Sequence, residues 1–259
     1  MTRLERRFPS SVCVRITRRC NAVCSFCQAP NTSHVELSSE DLEGIAIALK
    51  VRGVRSLKLS GGEPTMRSDL AHIIDTIGSV LPKVVVVTNG ISLSSEVVAA
   101  ARDVGAEFKF SVHRPDSSND DVYRVKSFGK ILESMEACSK SRIRFSIHTV
   151  VTSSTVDLMG PMAAFALSCG ARKISFLPVV PRGRAVKGEE NSIGEDSLRA
   201  VRADVALLAD DFKGRLDVRC VDFWSREYWV IENDGTLWIE RSSEKLDERV
   251  CGLSELLAP

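Results

Sequence analysis

Three cysteines, Cys20, Cys24 and Cys27, fall within eight residues in the stretch RRCNAVCSFCQ, spaced C-x-x-x-C-x-x-C. Clustered thiolates bind zinc, copper(I) or iron–sulfur clusters. Structural zinc takes four ligands, usually in two pairs. No second C-x-x-C or C-x-x-H pair occurs here, and Cys13, Cys138, Cys169, Cys220 and Cys251 are isolated. A cubane cluster has four irons, so three thiolates would leave one iron open to a ligand, as catalytic zinc keeps one exchangeable position. A second chemical stretch is Lys58 to Pro64, KLSGGEP. Its glycines permit close backbone approach, and its carboxylate, with nearby carbonyls, can accept hydrogen bonds from a cation. His113 and His148 are candidates for acid–base work, with a satisfied structural histidine as the plainer alternative. Arg182 and Arg184, in PVVPRGR, could clamp a carboxylate or phosphate or form a solvated basic loop. Cys220 or Cys251, if near the chemistry, could donate a hydrogen atom; inert packing is the alternative. Trp224, Tyr228, Trp229 and Trp238 could wall a cavity or fill a hairpin core.

These residues need elements to hold them. Strand-like runs are expected at Val12–Ile16, Ser56–Leu59, Lys83–Thr88, Glu107–Val112, Arg142–Val150 and Arg172–Leu177. Helical patterns lie between them, at Ser39–Arg52, Ser68–Leu81, Ser94–Val104, Phe128–Lys140 and Thr155–Cys169. Capping residues open several, and Gly53, Gly105 and Gly170 stand at helix ends. Six β-α units predict a parallel sheet with helices outside it, either a barrel or an open doubly wound sheet. The cysteines follow the first strand, at the C-terminal end where barrel enzymes build active sites. His113 and His148 fall near the ends of strands four and five. The tail differs: a Gly-, Pro- and Arg-rich loop from Pro178 to Ser192, a helix at Gly194–Phe212, and strands at Leu216–Val221, Glu227–Ile231 and Thr236–Glu240. The last two flank Asn233-Asp234-Gly235, a hairpin signal. A boundary near Gly188 divides the chain into 1–187 and 188–259.

The 259 residues are 44% hydrophobic and 27% charged with net charge +1. That is a globular composition with a sizeable core and no bulk charge to draw nucleic acid or an anionic membrane. Apolar runs are too short to span a bilayer, and the first residues lack the apolar run of a signal peptide. A cytoplasmic location is expected, where clustered cysteines hold metal or do redox work more often than they form disulfides.

The cysteine stretch, with Phe26 just before the third cysteine, resembles the cluster loop of radical S-adenosylmethionine (SAM) enzymes. Gly61-Gly62-Glu63-Pro64 is similar to that family's GGEP segment. Val87-Thr88-Asn89-Gly90, Phe110-Ser111-Val112-His113, Asp120–Arg124 and Pro178–Arg184 resemble further family segments. The resemblance implies a partial (β/α)6 TIM-type barrel with a small C-terminal α+β extension. It implies a 4Fe–4S cluster on Cys20, Cys24 and Cys27, with SAM on the fourth iron. It implies SAM contacts from Phe26, Gly61, Gly62, Glu63, Asn89, Ser111 and Arg124, and a flavodoxin or ferredoxin as electron donor. One electron would cleave SAM to methionine and a 5′-deoxyadenosyl radical, which abstracts hydrogen from the substrate.

The tail departs from the pattern. Val230–Trp238 resembles the hairpin of extensions that carry auxiliary clusters, yet Ile239 and Glu240 stand where cysteine would follow. A single cluster is therefore expected. With no peptide-recognition segment before Val12, the expected substrate is a small polar molecule, a sugar or nucleoside intermediate of natural-product biosynthesis. The expected outcome is decarboxylation, dehydration or epimerisation by an oxidoreductase or lyase. The alternatives are a peptide maturase using a separate recognition protein, and a non-catalytic cluster- or zinc-binding regulator.

Overall fold

The structure is a computed structural model that describes residues 6–30, 35–187 and 193–258. One ten-stranded sheet forms its frame, in the order β10-β9-β8-β1-β2-β3-β4-β5-β6-β7. The parallel strands are β1 (Ser11–Thr17), β2 (Ser56–Gly61), β3 (Lys83–Thr88), β4 (Glu107–Ser111), β5 (Phe145–Val151), β6 (Lys173–Pro178) and β7 (Asp217–Cys220). Helices α1 (Ser39–Val51), α2 (Leu70–Val80), α3 (Ser95–Asp103), α4 (Asn119–Tyr123), α5 (Phe128–Lys140), α6 (Met159–Ser168) and α7 (Glu195–Asp211) connect them. The sheet has two free edges, β10 and β7, so it is a partial barrel and not a closed one.

Alternation along the strands separates two faces. Leu57 and Leu59 of β2 and Phe108 and Phe110 of β4 are fully buried in the main hydrophobic core. The residues between them take the other face, as strand geometry requires, which is polar on β2 and β4 and carries Val87, Val150 and Leu177 from β3, β5 and β6. The helices start where the sequence expects. Ser38 caps α1 in a reciprocal capping box with Asp41, and the Ser94 hydroxyl accepts from Val97 N at the start of α3.

The tail joins the same sheet. β7 pairs in parallel with β6, continuing the β-α series to a seventh strand. β8 (Tyr228–Ile231) pairs in parallel with the free side of β1, and β9 (Leu237–Glu240) and β10 (Glu248–Cys251) extend it antiparallel. A short α8 (Leu253–Leu257) ends the described chain. Neither β10, α8 nor α4 is among the elements expected from sequence. The boundary expected near Gly188 lies outside the described residues.

Candidate functional site

The C-terminal ends of the parallel strands open onto a cavity of about 320 Å³. Cys20, Cys24 and Cys27 line it together with Gly61, Gly62, Glu63, Asn89, Ser111, His113, His148 and Arg184. The cysteine loop leaves β1 and is tied down from three sides. Gly62 N donates to Thr17 O (2.7 Å) and Glu63 N to Arg19 O (2.8 Å). Val23 N donates to Tyr123 O (3.0 Å). Arg184 N donates to Cys27 O (2.9 Å), and its guanidinium to Cys24 O (3.2 Å).

The need for glycine in the GGEP turn is steric. A Cβ on Gly62 would lie 2.2 Å from Arg19 O, and one on Gly61 would lie 2.2 Å from Thr17 O. The turn presses directly on the backbone that enters the cysteine loop. Next to it, the Glu63 carboxylate is 1% exposed. It accepts from Thr88 Oγ1 (2.6 Å), Asn89 N (2.7 Å), Thr65 Oγ1 (2.8 Å) and Thr65 N (3.1 Å). Burial raises its pKa, and these donors oppose the rise. Asn89 in turn donates from Nδ2 to Asn21 Oδ1 (2.7 Å) in the cysteine loop.

Burial pushes the Cys20 thiol up to about 11 and, with the neighbouring thiols adding repulsion, Cys24 up to about 12. Thiolates at Cys20 and Cys24 are therefore unfavourable on this wall unless a cation compensates them, the electrostatic setting of an iron-bound site. Among the described residues no three His, Cys, Asp or Glu side chains converge as ligands of one ion. A multinuclear cluster, with each thiolate on its own iron, does not require such convergence. Soft donors along one cavity wall and a close-packed glycine turn beside them fit a 4Fe–4S cluster.

Two histidines complete the upper wall, both neutral. His113 Nδ1 accepts from Val150 N (3.1 Å), and burial lowers its pKa to about 3. His148 Nε2 lies 2.6 Å from Ser111 Oγ, and its pKa too is well below the ordinary value because of burial. The Phe26 ring stands edge-on to His113 at 4.7 Å. Tyr123 donates its hydroxyl hydrogen to Ser111 O.

Other expected site residues stand elsewhere. Arg124 is an exposed left-handed cap at the end of α4 and does not line the cavity. Arg182 is buried and engaged: both its terminal nitrogens pair with Asp247 at 2.7 Å, with Arg241 O and Glu240 each at 3.0 Å. Cys220 sits on the edge strand β7 and Cys251 is buried in β10, both outside the cavity. Among the tail aromatics Tyr228 lines the cavity. Trp224 donates to Val179 O (3.1 Å), Trp229 packs on Phe8, and Trp238 belongs to β9.

Sequence reasoning missed Arg15, Cys13 and Phe223, which line the cavity floor beside Tyr228. Arg15 is 4% exposed and makes a two-pronged pair with Glu240 (2.7 and 2.8 Å) and a second pair with Glu232. Arg18 also binds Glu232 (2.6 Å). The alternation Ser11, Cys13, Arg15, Thr17 was the available signal: a strand with its polar residues all on the inner face.

A family model described as the Radical SAM superfamily matches residues 14–163. The chain belongs to the radical SAM superfamily. As a radical SAM enzyme it uses the superfamily's cofactors, a 4Fe–4S cluster and SAM. It is 29% identical over 176 residues to a probable GTP 3′,8-cyclase of Sulfurisphaera tokodaii, covering 66% of this chain and 56% of that protein. It is 24% identical over 249 residues to the PqqA peptide cyclase of Rhodopseudomonas palustris, covering 88% and 66%. In fold it matches SuiB of Streptococcus suis bound to SAM, with TM-score 0.75, 16% identity, and 89% and 60% of the two chains covered. It also matches anSMEcpe with bound AdoMet, with TM-score 0.74, 14% identity, and 95% and 79% covered. The chain spans about half the length of the GTP 3′,8-cyclases it matches. No helix among the described residues is long and apolar enough to cross a membrane.

Proposed function

We propose that this radical SAM enzyme acts on a small polar substrate, bound below SAM in the cavity, in a redox-neutral reaction: decarboxylation, dehydration or epimerisation. The limited room carries the reading: the same cavity holds the cluster cysteines and the residues assigned to SAM, so a substrate beside them must be small. At about 320 Å³ the cavity lies at the small end of ligand sites, and its wall is mixed, with Ser60, Ser111, Asn89 and the two histidines offering hydrogen bonds among apolar and aromatic side chains. A sugar or nucleoside intermediate fits that chemistry, and the matched cyclases are named for a nucleotide, GTP. A flavodoxin or ferredoxin is the electron donor in this reading.

Cys20, Cys24 and Cys27 hold the cluster, which when bound supplies the electron that cleaves SAM to methionine and a 5′-deoxyadenosyl radical. Gly61 and Gly62 would leave backbone carbonyls free for the SAM amino group, and Glu63, already fixed by Thr65, Thr88 and Asn89, would offer that cation the rest of its carboxylate. Ser111, Asn89 and Phe26 line the same cavity and would hold the rest of the cofactor, with Phe26 a flat wall for the adenine. Arg184 braces the cluster loop through the Cys24 and Cys27 carbonyls. His113 and His148, held neutral, accept or donate hydrogen bonds at the substrate without adding charge. The protein's contribution is position and the exclusion of water.

A second reading, modification of a peptide presented by a separate recognition protein, has one specific support. The PqqA peptide cyclase match spans 88% of the chain. Binding of a leader peptide, alone or with a partner, would select it. The deciding test is anaerobic reconstitution of wild type and Cys24→Ala with iron and sulfide. EPR with and without SAM and an assay for 5′-deoxyadenosine follow. The wild type should give a reduced-cluster signal that moves with SAM, and product; Cys24→Ala should stay folded by circular dichroism and lose both. Cleavage retained in Cys24→Ala would remove the cluster assignment.

A further inference from the structure

The barrel interior beneath the cavity holds two lysines with no anion to answer them. Leu57, Leu59, Phe108 and Phe110 face the core, so Lys58 and Lys109 face inward. Each lies two residues before a serine that lines the cavity, Ser60 and Ser111. That places them one pleat, about 7 Å, below the cavity wall. Lys58 Nζ stands 5.3 Å from the centre of the Tyr228 ring, part of the cavity floor. Lys109 is half-buried. Burial first, then Lys58 and Lys173, push its pKa down to about 8, and its charge also acts on His148.

The acids within reach are all engaged. Glu107 pairs with Lys83 and Arg144, each at 2.9 Å. Asp217 pairs with Arg219 (2.8 Å) and Lys173 (3.4 Å). Glu240 and Glu232 are held by Arg15, Arg18 and Arg182. Among the described residues no hydrogen bond or ion pair reaches either Lys58 or Lys109. On the inner face of β1, the Ser11 hydroxyl is buried and also lacks a partner. Both lysines are half-buried with no anionic partner, a buried hydroxyl without a partner is costly, and an oxyanion held between these elements would answer all three groups.

We propose that Lys58, Lys109 and the Ser11 hydroxyl form a phosphate-binding floor that anchors a phosphate-bearing substrate by its anionic end. Its reactive end then points up toward the cysteine loop. The inference rests on the small-molecule reading above and names its substrate class. Two ammonium groups match a phosphate dianion better than a single carboxylate.

The test is calorimetric titration of the full chain with pyrophosphate, with glutarate as the dicarboxylate control. Wild type should bind pyrophosphate, and Lys58→Met/Lys109→Met should weaken binding at least tenfold. Because the double variant could misfold, wild type is also acetylated with and without pyrophosphate and read by mass spectrometry. Protection of Lys58 and Lys109, with exposed Lys140 unprotected, supports the floor. No pyrophosphate binding, binding unchanged in a folded double variant, or equal binding of glutarate overturns it. 5′-Deoxyadenosine formation is assayed on the same wild-type sample. If cleavage occurs without phosphate binding, the floor fails and the enzyme reading stands. If phosphate binds without cleavage, the floor stands and the enzyme reading fails.

Discussion

An imidazole buried without a charged partner is fixed in its neutral form, and this makes His113 an acid-sensitive residue. Its folded pKa is about 3, through burial, whereas an unfolded histidine titrates near 6.5. Between those values the unfolded chain binds a proton that the folded chain refuses. Stability therefore falls as pH drops through 6.5 toward about 3 and is unaffected by this group above 6.5. The loss reaches about 3 kcal/mol by pH 4.5, at about 1.4 kcal/mol per unit. His113→Gln keeps an acceptor for Val150 N and cannot titrate. His148 shifts in the same direction, so the difference between wild type and variant isolates His113. Urea midpoints measured from pH 7 to 4.5 should fall more steeply in wild type; parallel curves would show that His113 is protonated in the fold.

At the scale of elements, the GGEP turn is a spacer between β2 and the cysteine loop. Gly62→Ala brings a methyl to 2.2 Å from Arg19 O, and backbone cannot yield as a side chain can. The turn must lift, weakening the bonds from Gly62 N to Thr17 O and from Glu63 N to Arg19 O. The expected cost is about 1–3 kcal/mol, with at least a tenfold loss of cluster incorporation judged by absorbance after reconstitution. Normal incorporation would mean that the loop is positioned without the turn. This element was legible in the sequence, because glycine pairs, caps and strand alternation are local signals. β3 and α5 have the expected ends, and the other barrel strands agree within a few residues. What stayed illegible was long-range. Nothing local says that β8 joins the free side of β1, that Arg182 turns to Asp247, or that Arg15 meets Glu240 across 225 residues of sequence. Cys220 and Cys251 stand as candidate hydrogen donors in the sequence because nothing local gives their places in the sheet, and the strand that carries Cys251 has no local signal either.

For the whole molecule, the tail is held to the barrel by ion pairs as well as by β8. Arg15 reaches from β1, Arg18 from the cysteine loop and Arg182 from the loop after β6. They meet Glu232 and Glu240 at the hairpin and Asp247 just before β10. Glu240 stands near where the resembled extensions would place a cluster cysteine, and here its carboxylate joins two arginines. The same hairpin carries Tyr228 onto the cavity floor, so a loosened tail would open the floor to water. Breaking a buried pair by removing one partner leaves the other charge uncompensated, which costs about 3–5 kcal/mol, whereas replacing both partners by apolar groups can be nearly neutral. Glu240→Ala should therefore lower the unfolding free energy by about that amount, and Arg15→Met/Glu240→Met should recover part of it. In Glu240→Ala, the Tyr228 amide should exchange hydrogen faster than in wild type, while the Phe110 amide in β4 changes little. If Glu240→Ala costs under about 1 kcal/mol, as exposed pairs do, the pairs do not hold the tail, and β8 alone closes that side of the barrel.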